Sequence, residues 1–275
     1  MPELSTAAAT ALALWGAAHS GGAAADDVLG AISGYGVTAG VRRDGPVPQG
    51  SPAAALPGPG EAPVGPAALL PVLRSSVPVL VLPRQGDVRG LPVAGESGSP
   101  VPPVVAAALR AGAAVVLPEA ELTIVPVDTQ WRVFTGAGTP AVVDPGVARE
   151  ELDAAVGRVT RLFVGADLGR EAADARQAVS VQVAARTVVP PPGTPGRAVS
   201  LLDRCVQLEA ILAVSDPERT AAVNSYQLNL AAGAHRTLLE VAGQARRAAV
   251  AMAVRALLGS KMAGKSRLRA PGHFR

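Results

Sequence analysis

One cysteine, Cys205, stands in a chain of 275 residues. A lone thiol closes no internal disulfide and builds no cysteine-based metal cluster. Histidine is almost as scarce. His19, His235 and His273 are far apart and show no metal-ligand spacing, and no H-E-x-x-H zinc pattern occurs. No metal or cofactor is expected. No Ser-His-Asp or Cys-His arrangement can be assembled from these positions, so no catalytic residue is assigned. Aromatic residues make up only 3% of the chain. Aromatic-lined pockets and base-stacking platforms are therefore not expected, and Leu, Val, Ile and Ala must fill the core. Lysine occurs only at Lys261 and Lys265. Arginine in its place, with abundant Ala, Gly and Pro, reads as genome composition rather than function. No run of about twenty apolar residues is free of charge, so no membrane span is expected. The start MPELSTAAATALALWGAAHS lacks the basic residues of a secretory signal and carries Glu3 instead. The expected location is the cytoplasm.

What charge there is lies unevenly. The chain holds 25 basic and 22 acidic residues. Positions 241–275 hold eight of the basic residues and none of the acids, which leaves 17 against 22 in the preceding part. A mildly acidic body thus carries a basic C-terminus.

The pattern along the chain predicts an α+β fold. A first helix spans 4–18, with Ala11, Leu12, Trp15 and Ala18 near one side, and a second opens at Asp26 and Asp27. Tyr35 to Arg42 reads as a strand ending at the Asp44-Gly45 turn. Residues 44–66, rich in Pro, Gly and Ala, read as a mobile loop. A short helix from Pro66 to Arg74 and a buried strand from Val77 to Leu82 follow. Pro102 to Gly112 reads as a helix, with proline at its first turn and glycine at its end. Segments 114–117, 121–127 and 130–135 read as strands, the last two forming a hairpin. One strand pair is joined through a helix and another through a tight turn, which predicts mixed parallel and antiparallel pairing. Beyond Asp144-Pro145, a cap followed by a first-turn proline, the chain reads as helical. Leu201, Cys205, Leu208 and Leu212 form one apolar stripe. The expected architecture is an N-terminal mixed α/β unit with a small sheet over 1–143, a helical bundle or long hairpin over 144–259, and a basic flexible tail over 260–275.

Three stretches invite a functional reading. The first, Gly259 to Ser266, fits the G-x-x-x-x-G-K-[ST] pattern of a phosphate-binding loop. Such a loop joins a buried strand to a helix. Here the preceding segment has helical period and carries Arg246, Arg247 and Arg255, so the match reads as an accident. The second is the basic C-terminus itself. Arg246, Arg247, Arg255, Lys261, Lys265, Arg267 and Arg269 can neutralise phosphates of a nucleic acid or another polyanion. The third is the loop LVLPRQGDVRGLPVAGE after a strand end, where open sheets often place ligands. Arg84 and Arg89 can clamp an anion there, with Asp87 and Glu96 beside them. A simpler reading pairs Asp87 with one of the arginines in a structured turn. Cys205 reads as inert core, His19 as a helix C-terminal cap and His235 as solvent-facing. Glu150, Glu151 and Asp153 complement a helix start.

The blocks LVLPRQGDVRGLP and GRAVSLLDRCVQLEAIL resemble a group of hypothetical proteins from high-GC actinobacteria. The resemblance implies no catalytic residue and favours a housekeeping or regulatory role over secretion. The leading functional expectation is a non-enzymatic protein that associates with a protein partner or with its own copies through amphipathic helices. Polyanion binding by the C-terminus and small-anion binding at the 83–99 loop are the alternatives.

Overall fold

The structure, a computed structural model, describes residues 2–92, 101–139, 143–165, 173–215 and 225–267. The fold is α+β, with eight α-helices and five strands among those residues. Two compact units divide the chain. The first draws on 1–141, 188–195 and residues from 250 onward; the second takes 142–187 and 196–249.

In the first unit, α1 (Pro2–Gly21) is apolar on every side, and each residue from Ala7 to Ala18 is buried. Alanine makes this possible, because its small side chain admits close neighbours all round. The one polar side chain in that run, Thr10, donates its hydroxyl to Thr6 O at 2.7 Å and so leaves no unmet donor. Helix α2 (Ala25–Ser33) has Asp26 and Asp27 in its first turn and buries Val28 and Ile32.

The strand expected over Tyr35–Arg42 is shorter and later: β1 covers Val41–Asp44. Gly36 and Gly40 take φ of 76° and 105°, which breaks extended structure before Val41. Gly40 needs this freedom, since a Cβ there would stand 2.4 Å from Val64 O. The close approach lets Val41 and Val64 exchange backbone bonds of 2.7 and 3.0 Å. Residues 44–66 are accordingly packed against the rest of the first unit. Ala53 and Leu56 are buried, and the Arg43 guanidinium donates to Leu56 O at 3.1 Å and Gly45 O at 2.8 Å. Proline and glycine here serve tight turns that the core holds in place.

After α3 (Leu69–Leu73), β2 (Val79–Val81) and α4 (Pro103–Ala111) come β3 (Ala114–Leu117), β4 (Leu122–Val127) and β5 (Gln130–Thr135). Helix α4 has proline at its start, and Gly112 ends it at φ 71°. The sheet order is β1-β5-β4-β3-β2. Pairing is mixed, but not where the connections suggested. The helix-linked pair β2–β3 is antiparallel, and the parallel pair is β1–β5, the first and last strands in sequence. The long stretch between β2 and α4 gives the chain room to return reversed, so the helix imposes no crossover. Alternation sends Val116, Val125 and Phe134 into one apolar cluster with Val104, Ala108 and Ala111 of α4.

The second unit is built from α5 (Pro145–Gly165), α6 (Ala173–Arg186), α7 (Gly196–Val214) and the part of α8 (Ser225–Arg267) before residue 250. Asp144 caps α5: its Oδ1 accepts from Gly146 N at 2.8 Å and Val147 N at 3.0 Å. The α7 stripe forms as the period requires, with Leu201, Cys205 and Leu212 buried. Ala155, Val159, Leu212, Ala234 and Leu238 make an apolar cluster. His235 is not solvent-facing. Its Nε2 lies 3.1 Å from Leu212 O, in the last turn of α7, where carbonyls lack helical donors. No helix among the described residues is long and apolar enough to cross a membrane.

Cys205 is fully buried, and burial pushes its thiol up to about 12 from an ordinary 9.0. Nearby Arg246 opposes that shift and Glu209 adds to it. From pH 9 to 12 the unfolded chain sheds this proton while the folded chain keeps it. Stability therefore falls as pH rises through that window, by up to about 1.4 kcal/mol per pH unit. Urea midpoints measured from pH 8.5 to 10.5 should drop more steeply in the wild type than in Cys205→Ala.

Candidate functional site

The first unit contains a cleft of about 560 Å³, within the usual size of small-ligand sites. Several elements build it. The first turn of α1 brings Leu4 and Ser5, together with the positive end of the helix dipole. The segment before β1 brings Tyr35 and Val37, and the last turn of α4 brings Arg110. The β4–β5 hairpin brings Asp128, Thr129 and Arg132. Asp128 is one of two non-glycine residues with positive φ among the described residues, at 53°, and sits in a two-residue turn between Val127 and Gln130. Aspartate tolerates that conformation better than most residues.

Three local arrangements fix the wall. Arg132 NH1 lies 3.2 Å from Asp44 Oδ2, across the parallel β1–β5 pair. Its Nε is buried without a protein acceptor, so the guanidinium is under-bonded. Tyr35 is held at its hydroxyl, which accepts from Val189 N at 3.3 Å; Val189 O in turn accepts from the Trp15 indole N–H at 2.9 Å. Burial raises the Tyr35 hydroxyl above its ordinary value, and the Val189 N–H only partly offsets this, so at neutral pH the group is a neutral donor. Arg110 and Asp128 are exposed, and neither has a hydrogen-bond or ion-pair partner among the described residues. Lining the cleft are cations, hydroxyls and one carboxylate, with neither histidine nor cysteine among the described lining residues.

The stretches singled out in the sequence lie elsewhere. Arg84 and Asp87 close a tight turn through two backbone bonds of 2.9 Å. The Asp87 carboxylate accepts from Arg89 Nε at 2.8 Å and NH2 at 2.7 Å. Asp87 is thus committed to Arg89, and this part of the loop is an internal clamp. Glu96 lies outside the described residues. In the basic set, Arg246 is 1% exposed and bonds Glu209 through Nε at 3.1 Å and NH2 at 2.7 Å. It is withdrawn from any polyanion. Burial works against its charge, but Glu209 outweighs burial and holds it above its ordinary value. Arg247 is half-buried, and Arg255 is exposed with Nε donating to Ala251 O. Lys261, Lys265 and Arg267 fall in the final turns of α8, and Arg269 lies outside the described residues. Gly259 to Ser266 is helical throughout, which removes the loop that phosphate cradling requires.

Comparison with known proteins assigns both halves to one family. Residues 9–145 match the Rv1486c-like protein N-terminal domain, and residues 146–250 match the Rv1486c-like protein C-terminal domain. The chain belongs to the Rv1486c-like family. This family is mycobacterial, in keeping with the actinobacterial resemblance of the sequence blocks. No curated protein and no solved structure matches the chain. Within the Rv1486c-like match, the N-terminal domain contains Tyr35, Arg110, Asp128 and Arg132 of the cleft, while Leu4 and Ser5 precede it. Glu209 and Arg246 both fall in the Rv1486c-like C-terminal domain.

The cleft is not legible in the sequence because its members come from four separate segments. One signal was available: two residues before Phe134, Arg132 shares that residue's face of β5, which packs into the apolar cluster. A charge at such a position needs a partner or a function.

Proposed function

We propose that this protein binds a small carboxylate-bearing metabolite in the cleft of its first unit, without transforming it. The observation that supports this is the convergence of Arg110 and Arg132 with the hydroxyls of Ser5, Tyr35 and Thr129 on one cavity. Arginine forks match carboxylates in geometry, and flanking hydroxyls complete the acceptor's remaining bonds. The described lining offers no nucleophile paired with a base, which favours binding over catalysis.

The helix-mediated association expected from the sequence has less to support it. Val147, Val181 and Ile211 are exposed, but they sit singly on three different helices. Isolated apolar side chains of this kind need no partner. Polyanion binding loses Arg246 to Glu209.

The test is thermal melting of the full chain against a panel of small carboxylates. At least one should raise Tm at millimolar concentration. Arg110→Ala should weaken its binding about tenfold or more, and Arg110→Lys should restore only part of it. A panel without a hit, or a shift that survives Arg110→Ala, would sink the reading.

A further inference from the structure

We infer that the ligand of this cleft also carries an ammonium group: it is a zwitterion, of the size and class of a free α-amino acid. The inference rests on the reading of the cleft just given and follows from its charge balance. Arg132 already shares its charge with Asp44. That leaves Arg110 and Asp128 as the charged side chains of the cleft without a partner among the described residues. One unspent cation and one unspent anion face the same space.

A simple carboxylate satisfies Arg110 but meets a like charge at Asp128. A dicarboxylate or a phosphate dianion fares worse. A zwitterion engages both, its carboxylate on the arginines and on the Ser5 hydroxyl at the positive end of α1, and its ammonium on Asp128, with Thr129 as a neutral acceptor for a remaining ammonium proton. The hairpin supports this role. A two-residue turn holds Asp128 at one place relative to Arg132 on the same hairpin. The apolar lining from Leu4 and Val37 leaves room for an uncharged side chain.

The experiment is calorimetric titration of the full chain with L-alanine, L-leucine and L-glutamate. Each is compared with its deaminated counterpart: propionate, isocaproate and glutarate. Inorganic phosphate serves as a further arm. At least one amino acid should bind roughly five- to tenfold tighter than its counterpart, the scale of one partly exposed charge pair with its hydrogen bond. Asp128→Asn, which keeps the turn because asparagine also accepts positive φ, should erase that preference and strengthen binding of the deaminated counterpart, since the like charge that opposes it is gone. If the counterpart binds as well as the amino acid to the wild type, the zwitterion inference is wrong and carboxylate binding stands. Phosphate binding in preference to every carboxylate would overturn the inference as well. If neither member of any pair binds, both the inference and the reading of the cleft fail.

Discussion

Replacing Glu209 with leucine should destabilise the helical unit by about 3–5 kcal/mol, among the largest effects of a single substitution in this chain. Arg246 is 1% exposed, and Glu209 supplies two of its hydrogen bonds. Without the carboxylate, a guanidinium that cannot readily lose its proton is left buried and uncompensated. The same logic sets the control. Changing both residues, Glu209→Leu with Arg246→Met, removes the charge together with its partner and should recover most of the loss, because an apolar pair of similar volume substitutes well for a buried ion pair. Urea unfolding followed by far-UV circular dichroism reads the cycle. If Glu209→Leu cost under about 1 kcal/mol, water would have to reach Arg246 and the pair would behave as a surface bridge.

Trp131→Ala should cost the first unit a similar amount, about 3–5 kcal/mol. Trp131 heads the largest fully buried side chains and lies on β5, an interior strand paired on both sides, between β1 and β4. Truncation leaves a cavity that neighbouring strands, tied by ladder hydrogen bonds, cannot close. Trp131→Phe should cost much less. The indole Nε1 has no hydrogen-bond partner, so phenylalanine also removes an unmet polar group. With two tryptophans in the chain, a Trp15→Phe background makes emission report on Trp131 alone. Buried emission shifting red in step with urea would time the opening of this sheet.

Local signals were legible where the chain bonds to itself nearby. Asp144 bonds the first N–H groups of α5, and Gly112 ends α4 with positive φ; both could be read from adjacent residues. So could the β4–β5 hairpin and the stripe that buries Cys205. Residues 44–66 misled because turn-forming composition looks the same whether a loop is free or anchored. Buried Ala53 and Leu56, the Val41–Val64 backbone pair and the reach of Arg43 to two carbonyls distinguish the two. The basic C-terminal set misled for a related reason. Arg246 and Arg247 are adjacent and chemically identical, yet the helix turns about 100° between them and Arg246 meets Glu209.

By itself, the sequence determined the α+β class, the Asp144 and Gly112 caps, the alternation of the strands and the exclusion of an internal disulfide. Each depends on residue identity or on contacts within a few positions. The tertiary structure alone decided that β1 pairs in parallel with β5, that Arg246 is a core residue, and that Arg110, Asp128 and Arg132 share a cleft. Those depend on which distant segments meet, and the energy that selects among such meetings is apolar burial, which carries no direction along the chain.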